Sequence, residues 1–192
     1  MFDNNTLVTD FSYCFSGTNI TTIPSGLFDN NTLVTTFASC FYFTDITTIL
    51  TGLFDNNTLV TSFSYCFSDT NITTIPSGLF DNNTLVDNFQ WCFNECLSLT
   101  AIPSGLFDYN INVLFFSACF GGCTGINTDL PINLILYNEL IVNYYGMFND
   151  CLNMTGTALD FIAQANAAIY IDDCFKNCTS LSDYALIPAD WK

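Results

Sequence analysis

Ten cysteines and eighteen carboxylates are the groups whose number and spacing could do chemistry in this chain. Cys92/Cys96, Cys119/Cys123 and Cys174/Cys178 share a C-x-x-x-C spacing, which suits a disulfide framework or part of a zinc site. Zinc needs four converging ligands, and no histidine is present to supply one. Position argues for a third reading. Cys14, Cys40, Cys66, Cys92, Cys119 and Cys174 hold one place in a recurring pattern, where Met147 stands once; a second place, with Cys96, Cys123 and Cys178, holds Thr18, Thr44 and Thr70 in other copies. A place that accepts methionine or threonine fills space, so buried free thiols acting as small hydrophobes are expected, and no metal.

The carboxylates recur as well. Asp3, Asp29, Asp55, Asp81 and Asp108 sit in copies of one turn-like string. Stacked, they would form an oxygen row of the kind calcium uses; local capping of each turn by its own Asp or Asn is the preferred reading. The same applies to the Asn-x-Ser/Thr sequons at Asn4, Asn19, Asn30, Asn56, Asn71, Asn82, Asn153 and Asn177, most of which are copies of one repeat. Threonine pairs at 21–22, 47–48 and 73–74 suggest an ice-matching row, but Thr100-Ala101 interrupts it and threonine is the usual residue of a half-exposed strand.

Histidine and arginine are absent, which removes the commonest general base and the usual oxyanion clamp together. No catalytic residue is assigned, no cofactor is expected, and the chain is not expected to be an enzyme. With Lys176 and Lys192 as the only basic residues and a formal charge of −16, a phosphate backbone is repelled at every approach, which excludes nucleic acid. No apolar stretch is long enough to span a bilayer. Residues 1–10 lack the basic and apolar regions of a secretory signal, so a removed signal, a longer parent chain and export within a virus particle all stay open.

The elements that must position these groups follow from a repeat. F-D-N-N-T-L-V begins at Phe2, Phe28, Phe54 and Phe80, a period of 26, and a looser copy begins at Phe107. Cys-Phe recurs at 14, 40, 66, 92, 119 and 174, with Met147-Phe148 between the last two. Such a period marks a solenoid. The expected fold is an α/β repeat solenoid of about seven coils, each with one short strand and a short or irregular helix. The strand is placed at Ile20–Pro24 and its copies, and the helix over Leu33, Val34, Phe37, Cys40 and Phe41, whose spacing is helical although Thr, Val, Phe and Asn form helices poorly. Residues 1–192 are expected to be a single domain, with regular repeats over 1–126 and degenerate and capping repeats over 127–192. Phe2, Phe28, Phe54, Phe80 and Phe107 should form one stacked column, Phe11, Phe37, Phe63, Phe89 and Phe116 a second, and Phe15, Phe41, Phe67, Phe93, Phe120, Phe148 and Phe175 a third.

The unit resembles the BspA-like leucine-rich repeats of bacterial and protist surface proteins, including mycoplasma lipoproteins. The shared pattern, M-F-x-x-C-x-x-L leading into L-x-x-I-P, is met by Met147 to Cys151, Cys92 to Leu99 and Cys174 to Leu181, and then by Leu99 to Pro103. Thr18, Thr44 and Thr70 depart from it, as does Leu50 where other copies have proline. The resemblance implies a leucine-rich-repeat fold and a surface or secreted adhesion protein that binds host proteins or other cells; it transfers no catalytic residue.

Positions that vary while their neighbours repeat are the candidates for recognition. Next to the Cys-Phe landmark these include Tyr13, Tyr42, Tyr65 and Trp91, residue types that anchor protein and sugar interfaces. The expected function is a non-catalytic binding or adhesion module at the cell surface, secreted or on a virion, whose partner is a protein or glycan of a host or neighbouring cell. The rival is a fibre or filament subunit that self-associates through its amino-terminal end.

Overall fold

The computed structural model describes residues 2–165 and 168–192. Its organising element is a turn spiral in which alternate amides have different partners. Over residues 37–43, the N–H groups of Phe37, Ser39, Phe41 and Phe43 donate to the carbonyls of Ser62, Ser64, Cys66 and Ser68 on the next coil at 2.8–3.1 Å, while those of Cys40 and Tyr42 close turns onto Phe37 and Ser39. The same alternation recurs one coil later, from Phe63, Tyr65, Phe67 and Asp69. Every second amide is thus committed between coils, which leaves no i to i−4 ladder for a helix.

The helix expected over Leu33 to Phe41 and its copies is therefore absent among the described residues: turns at 32–33 and 38–43 flank the bridge at Thr36, and Leu33 is 41% exposed. Among the described residues the α-helix is α1 (Leu159–Gln164), with 3-10 turns at Tyr184–Leu186 and Ala189–Trp191. The strand also falls elsewhere than expected. Single parallel bridges link Asp10, Thr36, Ser62, Asn88, Phe115, Asn143 and Tyr170 in succession. Residues 20–24 carry neither strand nor bridge, and their copies are tied by bonds such as Thr73 N–H to the Thr47 carbonyl.

The three phenylalanine columns form as the period requires. Phe11, Phe37, Phe63, Phe89 and Phe116 stack with centroids 5.7–5.9 Å apart. The Phe15-to-Phe175 column runs at 5.3–5.9 Å, and Phe2, Phe28, Phe54, Phe80 and Phe107 at 6.1–6.3 Å. Rings of the Phe11 and Phe2 columns interlock at about 50°, for example Phe37 with Phe54 at 4.7 Å, a geometry that aromatic quadrupoles favour. After Phe116 its column continues as the buried Tyr144, and α1 inserts Phe161 edge-on against Phe148 and Phe175. Trp191 then covers Phe175, whose N–H donates to the Trp191 carbonyl at 2.8 Å in place of a further coil.

A second device escaped the sequence reading. Asn31, Asn57, Asn83, Asn110 and Asn138 are buried, and each Nδ2 donates to two carbonyls of the preceding coil. For Asn83 these are Phe54 at 3.1 Å and Asn57 at 3.0 Å. The preferred reading of D-N-N-T as local turn chemistry is corrected for this asparagine: it is an inter-coil strut. Its neighbours Asn30, Asn56 and Asn82 are exposed, as are the other sequon asparagines.

Candidate functional site

The ten cysteines are all free, nine of them buried. Those of the second place do more than fill space. Cys96, Cys123, Cys151 and Cys178 each donate an S–H to a phenylalanine carbonyl of the preceding coil at 2.9–3.1 Å. Thr44 and Thr70 at the same place donate to Phe41 and Phe67 within their own coil. Burial pushes Cys96 and Cys178 up to about 12 and drives Cys40, Cys66 and Cys119 well above the ordinary thiol range, so these thiols are poor nucleophiles. Among the described residues no cluster of three or more metal-binding side chains forms.

The aspartate row forms as the repeat requires. Asp29, Asp55, Asp81 and Asp108 pack over Gly26, Gly52, Gly78 and Gly105, where an added Cβ would stand 3.0–3.1 Å from a carboxylate oxygen. Burial, then Asp108 and Asp55, raises the Asp81 carboxyl above its usual range.

The four recognition candidates converge on one surface. Tyr13, Tyr65 and Trp91 occupy equivalent places in their coils, each at the third residue of a turn, as for Tyr13 in the turn closed by Cys14 N–H on the Phe11 carbonyl. Their φ values are 59, 55 and 58°, the left-handed geometry of a type II turn, which normally selects glycine. The turn throws the side chains away from the core: Tyr13 is 67% and Tyr65 38% exposed, while Tyr42 and Trp91 are half-buried. Tyr65 and Trp91 lie face to face, with centroids 5.5 Å apart and planes 1° from parallel. Tyr42 meets Tyr65 edge-on at 6.2 Å. Tyr13, Tyr42 and Tyr65 line a shallow hollow with Ser39.

Sequence reasoning missed Phe43, which extends this platform 6.2 Å beyond Tyr42. It is 65% exposed at φ 53°, in the column otherwise occupied by Gly17, Asp69, Glu95, Gly122, Asp150 and Asn177. A large ring in that column was the available signal. Beside it opens a second hollow of about 330 Å³, lined by Thr18, Asn19, Phe43, Thr44, Asp45, Asp69 and Asn71.

No family model matches the chain, and no curated protein matches it in sequence. Solved structures do. The plant peptide hormone receptor RGFR1, solved in complex with RGF2, superposes on 74% of the chain at 14% identity with a TM-score of 0.54. The fold is a leucine-rich-repeat solenoid. The leucine-rich repeat domain of APL1B matches at 19% identity over 59% of the chain, with a TM-score of 0.42. The functional domain of InlJ from Listeria monocytogenes matches at 16% identity over 78%, with a TM-score of 0.43. The solenoid spans 21% of the RGFR1 chain, 30% of APL1B and 32% of InlJ. No described helix is long and apolar enough to cross a membrane.

Proposed function

We propose that the solenoid is a non-catalytic recognition module of BspA-like type, displayed outside the cell or on a virion, that binds a protein or glycan of a host or neighbouring cell through its aromatic platform. One observation carries this reading. Tyr13, Tyr42, Tyr65 and Trp91, drawn from four coils, gather on one surface outside the core, and Tyr13, Tyr65 and Trp91 stand at backbone positions that favour glycine. A left-handed residue costs about 1–2 kcal/mol when it is not glycine, and rings left exposed give little packing in return. Rigid aromatic area facing water is the composition of an interface centre.

The test is capture of matrix proteins and glycans by the full chain, compared with Tyr65→Ala and Trp91→Ala. Each substitution should weaken a captured partner by at least ~30-fold if it removes an interface anchor. Capture of nothing, or affinities unchanged by both substitutions, would refute the reading.

A further inference from the structure

The hollow beside Phe43 differs from the rest of the platform in charge. Asp45 and Asp69 line it from successive coils, and neither lysine of the chain does. Each carboxylate has a neutral donor, Asn71 Nδ2 to Asp45 at 3.4 Å and Ser68 Oγ to Asp69 at 3.0 Å, so its charge is uncompensated there. The column of Asp69 continues into Glu95, whose carboxyl is raised by burial and then by Asp69 and Asp150, the mark of a row of like charges. Phe43 forms the wall.

Resting on the recognition reading above, we propose that this hollow receives a lysine or arginine side chain from an extended basic segment of the partner protein, with the cation against the Phe43 ring and between Asp45 and Asp69. A cation over an exposed aromatic face is attracted by the ring quadrupole, and the carboxylates that line the same hollow supply the complementary charge. At about 330 Å³ the hollow has room for one long side chain. The platform of Tyr42, Tyr65 and Trp91 adjoins the same rim through Phe43, so flanking residues of that segment lie across it. A formal charge of −16 steers such a segment in from a distance and repels nucleic acids and acidic sugars.

The test titrates the full chain with a Lys-Gly-Ser repeat peptide, its Arg and Glu counterparts, and maltohexaose, observed by aromatic-ring NMR. The basic peptides should bind, with affinity falling as salt rises. Asp45→Asn combined with Asp69→Asn should weaken them by ~tenfold or more, and Phe43→Gly, compatible with the positive φ, by ~threefold. Asp172→Asn combined with Asp190→Asn removes the same charge elsewhere and should change affinity less than ~twofold. Equal weakening by the two double variants would mean unspecific attraction and overturn the site. Maltohexaose bound independently of salt and of Asp45 and Asp69, but lost in Tyr65→Ala, would overturn the basic-segment assignment while leaving the recognition module standing. Failure of every peptide to bind overturns the assignment too, whereas the module itself falls only if the capture experiment is also empty.

Discussion

Asn83→Ala removes two bonds that tie one coil to the one before it. The lost donor served Phe54 and Asn57 carbonyls at 3.1 and 3.0 Å. Each of those carbonyls keeps a turn partner, Asn57 N–H and Val60 N–H respectively, so neither becomes an orphan, and the loss is two net hydrogen bonds at about 1 kcal/mol each. The void left by a fully buried amide adds to this. Against it, Asn83 Oδ1 is buried without a partner, and its removal relieves a desolvated acceptor. The balance is about 2 kcal/mol of destabilisation, which for a chain of this size lowers Tm by about 4–8 °C. Asn82→Ala, one residue away and exposed, should stay within about 0.5 kcal/mol of wild type. The assay is urea unfolding followed by circular dichroism, with the two variants compared at matched m-values. Equal effects of the two substitutions, or an Asn83→Ala effect below about 0.5 kcal/mol, would refute the strut and return both asparagines to turn capping.

Phe63→Ala, at the centre of a ring column and fully buried, should cost about 3–5 kcal/mol, measured by the same unfolding experiment. Ala118→Gly should stabilise by roughly 1 kcal/mol, because Ala118 is held at φ 46° and glycine relieves the left-handed strain. In native protein at mildly alkaline pH a thiol reagent should modify Cys14 alone, since the other nine cysteines are buried, and should reach those nine only after unfolding; fast native modification of Cys66 would contradict the core. The Asp81 carboxyl is raised above its reference of 3.8 by burial, then by Asp108 and Asp55, so the folded state binds the proton more tightly than the unfolded one. Its contribution to stability is therefore greatest below the unfolded value and is lost as pH rises through the higher folded one. Asp81→Asn should raise the urea midpoint at neutral pH, and the advantage should shrink on acidification; an advantage that grows as pH falls would reverse the assigned sign.

The columns were legible because one period repeats the same ring positions: Phe37, Phe63 and Phe89 could only meet their own copies if coils stack. The free, buried state of the thiols was legible from Met147 and the threonines standing in cysteine places. The helix was not, because the apolar spacing of Leu33, Val34, Phe37, Cys40 and Phe41 is shared by a helix and by a run of turns, and the partner of each amide lies on another coil. Which of two adjacent asparagines is buried is equally hidden within D-N-N-T. The hint lay in the looser copy, where Tyr109 replaces the first asparagine and Asn110 keeps the second. Tyr13, Tyr65 and Trp91 were found by their variation alone. Their convergence needed the left-handed turns, and Phe43 was missed because its column holds glycine or a carboxylate in neighbouring coils.

The contact between Tyr65 and Trp91 tests coil stacking and the platform together. These rings are one repeat apart in sequence and 5.5 Å apart in space. In a proton NOE spectrum of the intact chain, the Trp91 indole should show cross-peaks to the Tyr65 ring that vanish in Tyr65→Ala. Trp91 cross-peaks confined to its sequence neighbours, unaffected by that substitution, would contradict the stacked solenoid and the binding surface built on it.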